Sequence, residues 1–515
     1  MTRPSGVGSG ESALARAAPP RYACAACALR PVHGVSSSCV IRLRLAPATM
    51  IMRRLLLSLA VTMIAGASAR AQVAIVDVTL IDVTGGPHRT HQTVLLDGDR
   101  ITAIGPTETL RLPRTTQSVD GRGKYVIPGL WDMHVHLGIA GRSAIPLLLA
   151  TGVTSVRDMG GDPVVLRWRD SITAGTMVGP RIKAAGLIVE NARWRTAVMA
   201  YMKAQGTTTM LPELERRLGV ATTADAERAI DSLVRLGADF VKVRTAPPPA
   251  AFFALAAAAR RRGLGIAGHA PPFAQLASAS DSGFRSLEHP VLDAGGRGLV
   301  EAFMRLDGGV RAALLQRLAR NATAWTPTFV TGNERLLSDS ARRRLVNDSI
   351  GVSDVAYRDL PAPMRAAWRV ELERGLRDPD TLTDWRAIHA ASLRLAREAL
   401  DAGVPIMAGT DTPVLPLVPG YSLHDELALL VRDAGLTPRE ALRAATATPA
   451  AFMGMGASLG QLSPGMLGDL VLLDADPTVD ISATRRVRAV VSRGVVYDRA
   501  ALDRLLAPPH APARR

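Results

Sequence analysis

The sequence predicts an α/β protein, a (β/α)8 TIM-type barrel with a small β-sandwich domain formed from both ends of the mature chain. Three observations predict it. Residues 128–450 alternate short β-like runs with helical runs, the pattern of βα units around a parallel sheet. The flanking stretches, 73–127 and 463–500, are rich in β segments and turn residues. Residues able to hold a metal recur at the ends of the barrel's strand candidates, where such a barrel keeps its functional groups.

A chain of 515 residues suffices for one large domain and a smaller one. Its 47% hydrophobic and 21% charged residues describe an ordinary globular protein. The formal charge of +16 is unevenly placed, because residues 1–72 hold nine arginines against one acidic residue, Glu11. The rest is spread thinly and without a basic-aromatic stripe, which argues against a nucleic-acid partner. Lysine is rare (Lys124, Lys183, Lys203 and Lys242), so most positive charge reflects an arginine-heavy composition.

Met52-Arg53-Arg54 precedes an apolar run, Leu55 to Ile64, and then Ala65-Gly-Ala-Ser-Ala-Arg-Ala-Gln72. A charged start, a short apolar stretch and small-x-small residues make 50–71 an expected export signal. Translation is then expected from Met50 or Met52, with 1–49 a mis-called upstream extension. The apolar run is too short to span a membrane. Cys24, Cys27 and Cys39 all fall in that extension; with His33 they form a poor candidate for a zinc knuckle, since their surroundings are low in complexity. A mature chain without cysteine needs no disulfide and carries no lipid on its N-terminus. The expectation is a bacterial periplasmic or secreted protein without a stable membrane anchor.

Taken in order, the first β segments are Val73–Asp77, Leu80–Val83, Thr93–Asp97, Ile101–Gly105 and Lys124–Ile127, separated by turns such as Gly85-Gly86-Pro87 and Asp97-Gly98-Asp99. Asp469–Asp474 and Val487–Tyr497 have the same character. The barrel strands are expected at Gly129–His134, Gly152–Asp158, Arg181–Val189, Ala238–Arg244, Leu264–His269, Arg285–His289, Thr323–Val330 and Gly403–Asp411. Helices are expected over Ala224–Leu236, Ala250–Arg262, Val310–Ala319, Leu393–Ala402 and Ser422–Ala434, the last opened by a reciprocal cap of Ser422 with Asp425. Two connections are long, 190–223 and 331–392. Long βα connections lie at a barrel's active face, so Arg193, Trp194, Arg195 and Tyr201 are expected to meet the substrate. The competing reading is a structural insertion or a dimer contact.

Chemistry concentrates in Val126-Ile-Pro-Gly-Leu-Trp-Asp-Met-His-Val-His-Leu-Gly138. Residues two apart on a strand share a face, so His134 and His136 point the same way, and Asp132 with them. Two neutral imidazoles suit one borderline-soft ion such as zinc. H-x-H alone also fits the wet face of an exposed strand, so the downstream residues decide. Lys242 sits in Phe240-Val-Lys-Val243, where a charged lysine is costly unless it snorkels outward. His269 ends Ile266-Ala-Gly-His, His289 ends Ser286-Leu-Glu-His, and Asp411 lies in Met407-Ala-Gly-Thr-Asp-Thr-Pro413. A lone buried histidine is usually a packed core residue. Four histidines, a lysine and an aspartate in register with strand ends are hard to assign to packing.

With these residues in this order, the chain resembles the amidohydrolase superfamily of metal-dependent hydrolases over about residues 73–500. Within it the chain is most similar to the branch of imidazolonepropionase-like proteins and Xaa-Pro or Xaa-Arg dipeptidases. Gly152-Val-Thr-Ser-Val-Arg-Asp-Met159, Ser422-Leu-His-Asp-Glu426 and Pro464-Gly-Met-Leu-Gly-Asp-Leu470 support that placement. The resemblance implies two divalent ions, zinc or else manganese, cobalt or iron. His134, His136 and Asp411 would hold the first and His269 and His289 the second. Lys242, carboxylated by CO2, would bridge them as a carbamate. A water shared by the ions would supply hydroxide near neutral pH, and Asp411 would move its proton to the leaving amine. Arg157, at the end of the second strand, is a candidate for a substrate carboxylate, with a structural ion pair as its alternative.

One departure bears on substrate. The dipeptidase-like members carry a Gly-Gly-His-Gly stretch after the third strand, where this chain reads Ala184-Ala-Gly-Leu-Ile-Val-Glu-Asn191. The expected activity is hydrolysis of a C–N bond in a small amide, a dipeptide or an N-acyl amino acid. The alternatives are a mononuclear cyclic-amide hydrolase of the imidazolonepropionase type, a lactone or phosphotriester hydrolase, and a non-catalytic binding protein. Homo-oligomers are expected from the resemblance alone.

Overall fold

The computed structural model describes residues 72–206, 211–269, 271–272, 275–289, 299–377 and 384–507. The expected export signal, the expected upstream extension and all three cysteines lie outside the described residues.

Among the described residues, five strands come first: β1 (Val73–Leu80), β2 (Arg89–Asp97), β3 (Arg100–Pro106), β4 (Gln117–Asp120) and β5 (Tyr125–Pro128). Nine follow in the centre: β6 (Leu130–Val135), β7 (Val153–Asp158), β8 (Arg181–Ala184), β9 (Ile188–Asn191), β10 (Leu218–Val220), β11 (Val241–Val243), β12 (Ile266–Gly268), β13 (Phe284–Glu288) and β14 (Ala324–Thr326). Three come last: β15 (Leu470–Leu473), β16 (Val487–Ser492) and β17 (Val495–Tyr497). Arg493 and Gly494, both at positive φ, turn β16 into β17 and divide a segment expected as one strand.

Strands from both ends share one sheet, ordered β17-β16-β15-β5-β1-β2-β3, with β4 beside β1. Alternate residues explain its two faces. Val73, Ile75, Val94, Leu96, Val126, Leu470 and Leu472 pack together on one side. Ile127, Val471, Leu473 and Val490 point the other way, into the main core of the molecule. A strand buried on both faces reads as a continuous apolar run, as Leu470–Leu473 does. Where a sandwich is expected, these strands form one continuous eight-stranded sheet. The segment before β15 returns to β3, with Ile101 N donating to Met466 O at 2.8 Å and Gly465 N to Ile101 O at 2.7 Å. That pairing satisfies the backbone at an otherwise open edge.

The central strands run parallel in two ladders, β6-β7-β8 and β10-β9-β11-β12-β13-β14. The third strand, expected unbroken over Arg181–Val189, is interrupted where Gly186 adopts φ 69°. Its first half therefore pairs with β7 and its second with β11. The seventh stops at Thr326, because Thr328 turns at φ 47° and the helix Phe329–Arg335 begins. Gly403–Asp411 forms no ladder, only the bridge Trp325↔Ile406, with a second bridge, Val135↔Thr412, just beyond its end. It still docks between β14 and β6, with Met407 N donating to Trp325 O at 2.9 Å and Met133 N to Ala408 O at 3.0 Å. A Cβ on Gly409 would lie 2.6 Å from Thr326 Cγ2 and 2.9 Å from His134 N, so only glycine allows that approach.

Helices cover the ladders because their apolar residues recur three and four apart. Thr223–Leu236 buries Ala226, Ala229, Ile230 and Leu233. It begins at a capping box of Thr222 with Asp225 and ends at left-handed Gly237. The cap expected at Ser422 is absent. Helix Tyr421–Arg432 follows Gly420 without a side-chain cap, Ser422 is buried, and Asp425 pairs with Arg485 at 2.7 Å. Tertiary pairing overrides the local signal.

The connection 190–223 carries helices Ala192–Ala204 and Leu211–Arg216 with β10 between the second helix and Thr223. Among its described residues, the connection 331–392 carries the helices Asp339–Asn347, Val355–Arg358 and Ala362–Arg377 and the first turns of Trp385–Asp401. It owns a small core in which Val346, Leu360, Met364, Trp368 and Leu372 meet Leu415 and Val418. Among the described residues, no helix is long and apolar enough to cross a membrane.

Candidate metal centre

The ends of β6, β13 and the Gly403–Asp411 segment converge on one point. Asp411 Oδ1 lies 3.2 Å from His134 Nε2 and 3.3 Å from His136 Nε2, and Asp411 Oδ2 lies 3.8 Å from His289 Nε2. The ligand atoms of His134, His289 and Asp411 all fall within 4.8 Å of one another. His269 joins from the end of β12, its ring centroid 5.3 Å from that of His289. Lys242, on β11, is 1% exposed, and its Nζ has no hydrogen-bond partner. His134 Nε2 is likewise buried and without one. The expected site residues other than Arg157 thus gather in one place.

The other ring nitrogens are tied down. His134 Nδ1 donates to Glu288 Oε2 at 2.9 Å and His136 Nδ1 to Gly160 O at 3.0 Å. His289 Nδ1 sits 2.7 Å from Thr328 Oγ1. Partners on Nδ1 aim Nε2 at the common point, as in metal-ligating histidines. The backbone is strained in the same place, since His289, Thr328 and Asp411 all have positive φ (62°, 47° and 61°). Such conformations cost about 1–3 kcal/mol each and persist where packing over-determines them.

Charge states follow from burial and neighbours. Burial drives the His289 imidazole down to about 3 and lowers His269 well below its ordinary value, with Lys242 adding to the latter. Both are neutral bases near pH 7, the form a metal binds. Burial pushes Asp411 up, yet the imidazoles of His289 and His134 hold its carboxyl well below the usual range. Burial brings Lys242 down to about 8, so an appreciable fraction is free amine near neutral pH.

Two expectations are corrected by position. Arg157 does not face the cavity. It is wholly buried, donates Nε to Met133 O at 2.7 Å and reaches both Glu288 oxygens through Nη2 at 2.7 Å. The ion pair, its alternative reading, is what the fold contains, because Glu288 needs a counter-charge there. Asp132 turns away from the ligands. Its Oδ1 accepts from His134 N and Thr410 N at 3.1 Å each, and its Oδ2 accepts from Thr410 Oγ1 at 2.7 Å. The ladder register shifts between Asp132 and Val135, which breaks the simple alternation.

Glu288 is the functional residue that sequence reasoning missed. It ends β13 immediately before His289, whose positive φ breaks the alternation, and its carboxylate meets Arg157 and His134. Burial alone would raise its carboxyl, but Arg157 and the His134 bond hold it at about 2. Its only sequence signal is a carboxylate inside an apolar strand, the same kind of signal that marks Lys242.

A cavity of about 340 Å³ opens over the cluster. Its floor is His136, Lys242, His269, His289 and Asp411; Glu213, Arg217 and Arg244 line one part, and Arg335, Trp385 and His389 another. Arg193, Trp194, Arg195 and Tyr201 do not line it. Trp194 instead lies 4.9 Å under the Arg244 guanidinium, Arg195 binds Leu214 O, and Tyr201 is exposed. The volume suits a small molecule.

Histidines, an aspartate and a lysine gathered at the carboxyl ends of parallel strands define a metal-binding α/β protein. The sequence profile of the amidohydrolase family matches residues 125–497, and the chain belongs to that family. It is 28% identical over 402 residues to imidazolonepropionase of Rubrobacter xylanophilus, covering 74% of this chain and 84% of that protein. It is 25% identical over 445 residues to ochratoxinase of Aspergillus niger, covering 80% and 83%. Among solved structures, a prolidase-like protein of Bifidobacterium longum matches with a TM-score of 0.62 at 25% identity, covering 85% of this chain and 98% of that one. A bottromycin amidohydrolase matches with a TM-score of 0.62 at 26% identity, covering 84% and 88%. The chain is accordingly a hydrolase acting on carbon–nitrogen bonds of small substrates, and metal binding comes with the family.

Proposed function

We propose that this protein is a binuclear metal-dependent amidohydrolase, exported from the cell, that cleaves the amide bond of a dipeptide or N-acyl amino acid. One observation carries the two-ion reading. A fully buried lysine with no hydrogen-bond partner for Nζ shares the site with buried His134, whose Nε2 makes no hydrogen bond and lies 3.2 Å from Asp411 Oδ1. Left as an ammonium, Lys242 is an unfavourable buried charge. As a carbamate it becomes an anionic ligand with two oxygens, which suits the donor set around it.

In this reading His134, His136 and Asp411 would hold one ion and His269 and His289 the other, with carbamylated Lys242 as a ligand to both. When bound, such ions lower the pKa of water towards neutrality and polarise the scissile carbonyl. The chain's own residues do the rest. Asp411, kept ionised by its neighbours, takes a proton at a carboxylate oxygen and returns it to the leaving nitrogen. Glu288 keeps His134 in the tautomer that presents Nε2, and Arg157 keeps Glu288 ionised. The cavity walls hold the substrate over this floor. In this reading β6, β7, the interrupted pair β8 and β9, β11, β12, β13, β14 and the Gly403–Asp411 segment would be the eight staves of a (β/α)8 barrel, with β10 outside them.

The experiment is metal content per subunit beside hydrolysis of a dipeptide and N-acyl amino acid panel, in wild type and Lys242→Ala. Near two ions, falling together with activity in the variant, is the expected result. A one-ion reading, a cyclic-amide hydrolase of the imidazolonepropionase kind, has its own support. The tightest grouping, His134, His289 and Asp411, cuts across the two-ion assignment and surrounds a single point. Near one ion, with the variant unchanged in metal content, selects it.

A further inference from the structure

Three arginines line the cavity, and two are already engaged. Arg217 pairs with Glu190 and, at 2.6 Å, with Glu213. Arg244 approaches Glu190 at 3.4 Å and stacks on Trp194. Arg335 differs. Among the described residues its guanidinium makes no hydrogen bond, and its nearest carboxylate, Glu334, is 4.0 Å away and held closer by Arg342 at 3.1 Å. The guanidinium lies 5.0 Å over the Trp385 ring, which steadies its plane without using its N–H donors.

His389 stands one helical turn beyond Trp385 on the same helix and also lines the cavity. It is only 7% exposed, and its Nδ1 is buried without a partner. That nitrogen is pressed on Gly332, where a built Cβ would lie 2.5 Å from it. Nδ1 has nothing to donate to, so the neutral ring carries its proton on Nε2, the nitrogen left for the cavity. Burial lowers its pKa and keeps it neutral.

We propose that Arg335, stacked on Trp385, and His389 form a carboxylate-binding subsite that selects substrates with an anionic group at the end remote from the metal floor. The planar fork of Arg335 matches the two oxygens, and His389 adds one N–H. Ile388 and Val414 supply apolar surface beside it. The proposal rests on the hydrolase reading for the word substrate, but not for the binding itself. It also accounts for the 331–392 connection, since residues at its two ends build one wall of the site.

The test uses the metal-loaded full chain and two probes that no hydrolase cleaves, phenylacetate and 2-phenylethanol. Binding is measured by calorimetry, and metal content in the same samples. Wild type should prefer phenylacetate. Arg335→Gln should weaken phenylacetate by about 10- to 100-fold, the worth of a charge-assisted pair, and leave 2-phenylethanol unchanged. Arg335→Lys should fall between, and Gly332→Ala should give a smaller loss by displacing the His389 ring. For any carboxylate-bearing amide that is cleaved, Arg335→Gln should raise KM with little change in kcat. A wild type without preference for the carboxylate overturns the proposal, and so does an Arg335→Gln variant that binds both probes as wild type does or loses both equally. If no amide is cleaved yet the Arg335 effect is present, the hydrolase reading fails and the subsite stands.

Discussion

Lys242→Met in the metal-stripped protein should be more stable than stripped wild type, although the same change should abolish hydrolysis. The reasoning is electrostatic. Lys242 is wholly buried, and its pKa falls from 10.5 to about 8 because burial penalises the ammonium. A tenfold change in proton affinity is worth about 1.4 kcal/mol, so that fall corresponds to about 3 kcal/mol against the fold. The unfolded chain keeps its proton up to the ordinary value while the folded one releases it near 8, so stability rises with pH between them. The penalty is complete below about 8, shrinks as pH climbs towards 10.5 and is absent above. Methionine has similar length and no charge to desolvate. Urea denaturation in CO2-depleted, chelator-treated buffer should show the variant ahead by about 2–3 kcal/mol at pH 7, with the gap closing by about pH 10.5. With metal and bicarbonate restored the order should reverse, since ions that bind only the folded wild type stabilise it by mass action. A stripped variant that is less stable than stripped wild type at pH 7 would refute the reasoning, because Lys242 would then be contributing a favourable contact.

Glu288→Gln should destabilise the protein by about 3–5 kcal/mol, because Arg157 stays buried without its counter-charge. Glu288 is held at about 2 against an ordinary 4.5, so its stabilisation is present above 4.5 and lost as pH falls towards 2; acid unfolding of the variant should lack this component. Gly268→Ala should abolish folding, read as loss of soluble protein or of a cooperative melt. A Cβ there would lie 1.8 Å from Val243 O at φ 150°, prising β12 from β11 between Lys242 and His269. Chelation should remove hydrolysis while leaving the far-ultraviolet circular dichroism unchanged, with activity returning on addition of zinc, manganese or cobalt; loss of secondary structure on chelation would make the ions structural instead.

Much of the centre is legible because its signals are local. His134 and His136 share a face by strand alternation, and Lys242 stands out as the one charge in the apolar run that becomes β11. His269, His289 and Asp411 each follow an apolar run that reads as a strand. Parallel ladders then bring such ends together wherever the strands align. The helix Thr223–Leu236 is equally plain, since its apolar spacing and its Thr222–Asp225 cap agree.

What the sequence could not supply were pairings between distant positions. Asp132 obeys a local rule until the ladder shifts register and Thr410, 278 residues away, claims its carboxylate. Arg157 reads equally well as a substrate contact until Glu288, 131 residues on, is found buried against it. Ser422 and Asp425 spell a helix cap, but Arg485 takes the aspartate. Composition and short-range periodicity determined the class of fold and the ligand types, because both depend on residues a few positions apart. The tertiary structure alone decided which buried charges neutralise each other and which cavity arginine, Arg335, makes no hydrogen bond among the described residues, because in a low-dielectric interior each charge is settled by its nearest partner in space and not in sequence.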